Sequence, residues 1–422
     1  TRRELIYYRK SMTDPNKTLV DFEIVKSSNG PIIMEDDSKG VMYALKWTAL
    51  DPKNNEFEAF FGLNRARNWE DFKASLKTYG GATQNFVYAD TKGNIGWYAA
   101  GRIPIRRVGD GSLPYDASKT DGDWTGFIPF EELPHLYNPP SGKIITANQR
   151  IVSNTYKYSQ MNRDSAAPWR AQSITRKLSK NKGFTMDDMR DAQLDASNIP
   201  NKLFADAVLA ANTASAETNN LLRGWDGLMK PDSRAALLAN DLRACVANKI
   251  ADSNKPIPAN IIRERVLEKA IRENLSRWLP VGYSSFADVY KACDADVIAD
   301  HTKRFGADRN TWTWSRVWTS RLAHPLAAAP LIGGQFATPN VPIDGSGQSP
   351  NVGSYVSMRL IASPGNWDAT RHAIPLGNSG NPASPHFKDQ FEAFKSGTPA
   401  ILPFSKQAIE KATVKTLVLS PK

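Results

Sequence analysis

Only two cysteines, Cys245 and Cys293, occur in 422 residues, with no Cys-x-x-Cys and no histidine pair close to either. A thiolate metal site is thereby excluded, and two readings stay open, a pair of buried thiols or one disulfide. The five histidines, at positions 135, 301, 324, 372 and 386, stand at no ligand spacing from one another, so a histidine-held metal is not expected either. No Gly-x-x-x-x-Gly-Lys, no Gly-x-Ser-x-Gly and no Gly-x-Gly-x-x-Gly opening a helix is present. These absences speak against a nucleotide enzyme and an α/β-hydrolase. Long apolar runs are missing too: no window approaches eighteen consecutive apolar residues, so no membrane span is expected. The opening Thr-Arg-Arg-Glu-Leu-Ile-Tyr-Tyr-Arg has an apolar run of four and no small-residue cleavage site, unlike a signal peptide. A start without Met inside a strand-like segment points to a chain made by processing, or to a piece of a longer one.

Charge is plentiful but dispersed. Lys plus Arg number 54 against 43 Asp plus Glu, a formal net charge of +11. The basic clusters are pairs such as Arg2-Arg3 and Arg106-Arg107, with Arg176-Lys177, Lys180 and Lys182 on an otherwise ordinary helix. With no basic stripe or tail to follow a phosphate backbone, nucleic acid is not an expected partner.

The character of the chain changes twice. Residues 1–160 are β-rich, with short runs at 5–8, 22–25, 31–34 and 41–50, and a hairpin of 85–89 with 95–99 across Asp90-Thr-Lys-Gly-Asn94; Gly93 and Asn94 suit positive φ. Between them 69–79 reads as a helix capped by Asn68. Residues 161–320 are mainly helical: Thr185 caps 186–194, 201–211 is apolar at helical spacing, and 264–279 alternates charge with Val266, Leu267, Ile271 and Leu275. Residues 321–422 return to mixed structure, with strands expected at 355–362, 371–376 and 416–419 and a long Gly, Pro, Ser and Asn loop at 333–353. Strands at both ends around a helical insert predict an α+β fold whose sheets are built from distant segments.

The densest local signal is Gly377-Asn-Ser-Gly-Asn-Pro-Ala-Ser-Pro-His-Phe-Lys-Asp-Gln390. Gly377, Gly380 and Pro382 force an irregular loop, and apolar Phe387, Phe391 and Phe394 follow at helical spacing. This run resembles the C-terminal signature of the penicillin acylase family of N-terminal nucleophile amidohydrolases. Other pieces follow the same family in order. Gln84 to Asp90, Gly93 to Gly96 and Gly101 to Arg106 resemble its central hairpin, continued by Gly126 to Pro129 and Tyr137-Asn-Pro-Pro-Ser-Gly142. Arg223-Gly-Trp-Asp-Gly227 resembles its helical Trp-Asp-Gly motif, and Asp308 to Arg316 with His324-Pro-Leu326 a later segment.

The resemblance implies part of an αββα four-layer sandwich with a large helical insert, and hydrolysis of a linear acyl amide without a cofactor. In the family an N-terminal Ser attacks, its own α-amino group acting as base, and an Asn amide with a backbone N–H binds the oxyanion. That Asn corresponds to Asn148, in Lys143-Ile-Ile-Thr-Ala-Asn148, and Arg170 to an Arg that supports the Asn and the nucleophile's amine. Trp169 and Tyr158 are candidates to line an acyl pocket. The nucleophile motif itself is not matched: Ser28-Asn29, Ser153-Asn154 and Ser197-Asn198 are followed by Gly-Pro, Thr-Tyr and Ile-Pro. Thr1 is an N-terminal hydroxyl residue, but stands only 28 residues before Asn29-Gly-Pro31, which resembles a His-Gly-Pro segment deep inside the family's β chain. The expected role is therefore the larger C-terminal part of a β subunit. A companion α chain and an N-terminal β segment of the same precursor would supply the nucleophile, and the family implies a periplasmic or secreted location. Substrates implied are a β-lactam side chain, an N-acyl-homoserine lactone or a lipopeptide acyl chain. The rival expectation is a non-catalytic scaffold that has lost the nucleophile, and His386 is expected to be structural in either case.

Overall fold

A computed structural model describes residues 1–11, 13–179, 183–353 and 356–421, so Lys180, Lys182 and Tyr355 lie outside the described residues. The chain divides into two compact units, Thr1–Thr146 with Arg150–Ser165, and Ala147–Gln149 with the chain from Ala166 on.

The first unit is made of antiparallel hairpins, because short β-branched and aromatic runs alternate with Asp, Gly and Asn turns. Strand β1 (Arg2–Tyr8) pairs along its length with β2 (Thr18–Ile24), and β3 (Lys26–Ser27), β4 (Gly30–Asp36) and β5 (Val41–Ala44) form a meander. The strand expected over 41–50 stops at Ala44, and Thr48–Leu50 closes instead as a 3-10 turn. Helices α1 (Glu56–Leu63) and α2 (Trp69–Leu76) follow. The Asn68 side chain accepts the Asp71 N–H, which caps α2 and satisfies an otherwise orphaned donor.

The expected hairpin is β6 (Gln84–Ala89) with β7 (Ile95–Ala100), and β10 (His135–Tyr137) lies on the other side of β7; β8 (Pro104–Arg106) pairs with β9 (Trp124–Phe127). At its turn, the Asp90 carboxylate accepts from the Asn94 side chain and from the Asn94 and Lys92 N–H groups. The Asn94 side chain leads the bonds that hold this acid at about 2. Gly96 lies under the Trp69 ring, where a Cβ would come within 2.2 Å of it. Trp69, Phe72, Leu76, Tyr98 and Tyr158 share one core. Outside that core the unit is unusually apolar: Leu5, Tyr7 and Phe22 in β1–β2, Met42 in β5 and Phe57 in α1 are all more than half exposed.

The second unit has a helical core. It comprises α3 (Trp169–Lys177), α4 (Met186–Gln193), α5 (Ile199–Ala211), α6 (Ala216–Arg223), α7 (Arg234–Ser253), α8 (Ala259–Ile261), α9 (Leu267–Arg272) and α10 (Phe286–Phe305). Thr185 and Asp188 form a reciprocal cap on α4. Leu237, Leu242, Val246 and Ile250 of α7 pack with Val289 and Val297 of α10 in one cluster. The cysteines sit on those two helices and are joined: Cys245 and Cys293 form a disulfide with their Cα atoms 5.8 Å apart. The helix expected over 264–279 begins earlier, at Ala259, passes through a wider turn at Ile262–Val266 and ends at Arg272. Asn274 stops it by adopting a φ of 47°, and the Leu275 N–H turns back to the Ala270 carbonyl.

In the remainder, β11 (Thr319–Ser320) pairs with β12 (Val341–Pro342), and β13 (Arg359–Ile361), β14 (Arg371–Ala373) and β15 (Ala400–Ile401) form a three-stranded antiparallel sheet. Helices α11 (Phe391–Ser396) and α12 (Lys406–Ala412) complete the unit. The strands expected at 355–362 and 371–376 are thus shorter, and the closing strand expected at 416–419 is not formed. That segment finds no partner strand among the described residues, and Val414, Leu417, Val418 and Leu419 stand exposed.

Candidate active site

Asn148 is shaped by its backbone before its side chain acts. Its φ of 62° is left-handed, a conformation that Asn tolerates better than most residues. Two hydrogen bonds and a β-bridge fix it there. The Gln149 side-chain oxygen accepts the Ala147 N–H at 2.6 Å, the Asn148 carbonyl accepts the Ala166 N–H at 2.7 Å, and Gln149 and Ala166 pair as a parallel bridge. Residues 147–149 are thereby stitched to the strand-like approach to α3. Pro168 stands at the N-cap, so α3 starts at Trp169 and Arg170 falls in its first turn.

Arg170 reaches back to Asn148, its Nη2 donating to Oδ1 at 3.0 Å. A guanidinium has donors only, so the amide oxygen must face it and the amide NH2 must face away. Asn148 is exposed, and that NH2 has no acceptor among the described residues. The arrangement is a donor aimed outward and held by a cation from behind. Arg170 itself is half-buried, and burial pulls its guanidinium below its ordinary pKa, though it stays a cation at neutral pH. No carboxylate among the described residues neutralises it, which leaves its positive field on the Asn148 amide.

Trp169, next to Arg170, is partly buried, and its indole N–H is buried without an acceptor among the described residues. Tyr158 belongs to the first unit, where its ring is buried in the aromatic core and its hydroxyl donates to Glu132 Oε2 at 2.8 Å. Lys157 and then Tyr158 hold the Glu132 carboxyl below its ordinary range. Thr1 is exposed at the start of β1. Of the site residues named from sequence, the fold thus brings Asn148 and Arg170 into contact, with Trp169 the chain neighbour of Arg170 at the start of α3. Gln149 and Ala166 were missed. Their only signal is position, flanking the Asn and preceding the Pro168 helix start.

The other motifs are turns with physical causes. Asn138 adopts a φ of 46° and its Oδ1 accepts the Ile95 N–H at 2.9 Å, which closes the β10 end onto β7. In Trp225-Asp226-Gly227, the Asp226 carboxylate accepts the Leu228 N–H and the Gly227 carbonyl accepts the Asn198 N–H. In the C-terminal run, a Cβ on Gly377 would lie 2.1 Å from the His386 carbonyl oxygen, so only glycine fits. Gln390 binds back through both its N–H, to the Leu376 carbonyl, and its side chain, to the Ile374 N–H, while Phe387, Phe391 and Phe394 are buried. His386 is 72% exposed and pairs with Asp389 at 2.8 Å.

A profile described as Penicillin amidase matches residues 1–411. Penicillin acylase 2 proenzyme of Pseudomonas sp. (strain SE83) is 26% identical over 94% of this chain and 54% of its own length. Acyl-homoserine lactone acylase QuiP of Pseudomonas fluorescens (strain Pf0-1) is 26% identical over 87% of this chain and 49% of its own. The chain spans about half the length of the curated relatives it matches. Among solved structures, a thermostable penicillin G acylase from Alcaligenes faecalis superposes with a TM-score of 0.72 at 18% identity, covering all of this chain and 82% of that one. On the family profile and this likeness of fold, the chain belongs to the penicillin amidase family and carries an N-terminal nucleophile hydrolase architecture.

Proposed function

We propose that this chain is the larger part of the β subunit of an acylase that cleaves a linear acyl amide, with Asn148 as a side-chain donor of the oxyanion hole. The observation that carries the reading is the Arg170 to Asn148 hydrogen bond, because it turns the amide NH2 outward beside a cation. When a hydroxyl nucleophile attacks an amide carbonyl, negative charge gathers on the oxygen, and a donor already in position stabilises it without reorganising. The nucleophile is an N-terminal Ser on a companion segment, as in the family this chain belongs to. Its hydroxyl adds to the carbonyl, the intermediate expels the amine, and water releases the acid from the acyl-enzyme. Trp169 lines the acyl side, its indole N–H, which has no acceptor among the described residues, meeting one from the substrate or the companion.

The exposed apolar residues of β1–β2, β5 and α1 support a companion chain, since such a surface in water is a docking or aggregation surface. The Cys245–Cys293 disulfide supports an extracytoplasmic location, because disulfides persist in oxidising compartments. The names of the relatives, a penicillin acylase and an acyl-homoserine lactone acylase, motivate the two substrates to try first. The test is to co-express the chain with its companion segments and follow amine release from a penicillin and from an N-acyl-homoserine lactone. Turnover of at least one, lost when the companion's N-terminal Ser is replaced by Ala, is expected. Assembly without turnover of any acyl amide would favour the scaffold.

A further inference from the structure

Arg170 is only as well placed as the helix that carries it, and α3 is nine residues long, too short to be stable without tertiary anchors. Its anchor is polar. Ser173, 3% exposed, donates its hydroxyl to Oδ2 of Asp195, 4% exposed, at 2.5 Å. The same carboxylate accepts the Ser197 hydroxyl at 2.8 Å and the Ser197 N–H at 3.0 Å, and the Lys177 ammonium lies 4.0 Å away. Ser173 and Lys177 stand three and seven residues after Arg170, on one stripe of the helix. The loop bearing Asp195 is held in turn: its carbonyl accepts the Asn351 N–H at 2.9 Å, and Ala196 and Asn198 bond to Met229 and Gly227 beside the Trp-Asp-Gly turn. Buried Arg359 then joins Asn351 Oδ1, at 3.0 Å, to the Phe394 carbonyl of α11, at 3.2 Å.

We propose that Asp195 and Ser173 are positioning residues for the candidate active site, fixing the rotation of α3 so that Arg170 meets the Asn148 amide; this rests on the acylase reading above. An apolar contact would let a two-turn helix roll, whereas a hydrogen bond between two buried groups is directional. A misplacement of about 1 Å remote from the chemistry can cost a hundredfold in rate. Ser173, Asp195 and Ser197 are not a second catalytic cluster. Ser173 and Asp195 are closed to solvent, and no histidine bonds to any of the three among the described residues.

The test uses the assembled acylase with Ser173→Ala, Arg170→Lys and the double variant, each measured for kcat, KM and Tm. Ser173→Ala is expected to lower kcat about tenfold, within the range such misplacement produces, with KM within twofold of wild type. In the Arg170→Lys background the same change should lower kcat by less than twofold, since the two act on one amide. A drop of less than threefold in the single variant, an equal drop in both backgrounds, or a loss expressed in KM alone overturns the proposal. Asp195→Asn, which keeps the shape of the side chain, replaces Ser173→Ala if that variant does not assemble. Asn148→Ala run alongside separates the two failures. If Asn148→Ala leaves kcat intact, the acylase site is misassigned and the anchor falls with it; if it abolishes turnover while Ser173→Ala lowers kcat by less than threefold, the anchor alone is wrong.

Discussion

At the scale of single residues, Asn148 carries two demands, a left-handed backbone and an outward amide, and few side chains meet both. Asn148→Ala in the assembled acylase is expected to lower kcat on the order of a hundred- to a thousandfold, the usual cost of one oxyanion donor. The strain of Ala at positive φ should destabilise by about 1 kcal/mol. A loss of less than tenfold would remove Asn148 from the oxyanion hole. Arg170→Lys tests the support. Lysine offers a point charge on a flexible stem in place of a planar fork, so kcat should fall while the enzyme still assembles, and an unchanged kcat would show that the fork is not needed. The pairing of Asn148 with Arg170 was legible in the sequence only through family resemblance, because no local pattern links residues 22 apart. The left-handed φ was not legible at all, since it is held by the Gln149 side chain and by Ala166, 18 residues further on.

At the scale of elements, caps were read well and ends poorly. Asn68, Thr185 and the Asp90–Asn94 turn act through side chains a few residues away, so sequence contains the whole interaction. The stop of α9 at Asn274 and the unpaired 416–419 segment depend on what the surroundings offer, which periodicity does not record. The C-terminal run is an element whose conformation rests on Gly377. Gly377→Ala should destabilise by more than about 2 kcal/mol, because its Cβ meets backbone that cannot swing away. Thermal unfolding would check it, and an unchanged Tm would mean that the loop can open. His386→Gln is expected to lower the Tm only slightly. Its ring is exposed, so breaking the Asp389 pair should cost under about 1 kcal/mol and leave the pH dependence of kcat/KM in place. A displaced ionisation would put His386 in the chemistry.

At the scale of the whole molecule, the covalent tie and the apolar surface pull in opposite directions. The disulfide closes a loop across 48 residues between two core helices, and replacing both cysteines by Ser should cost about 2–4 kcal/mol, read as a lowered denaturant midpoint. The first unit meanwhile presents both faces of β1–β2 to solvent. Expressed alone, the chain should self-associate and show no turnover. Leu5→Lys with Tyr7→Lys should make it more soluble yet weaken assembly with the companion. Sedimentation of the chain with and without the companion would check both, and a monodisperse, active isolated chain would contradict the need for one.

The Arg170–Asn148 contact also sets a trap for protein engineering. Aspartate tolerates the left-handed backbone and would give Arg170 an ion pair in place of a neutral acceptor, worth about 0.5 kcal/mol at so exposed a position. It would present no N–H to an oxyanion. If Asn148 is the oxyanion donor proposed above, a library sorted for thermal resistance alone should therefore enrich Asn148→Asp and discard turnover with it.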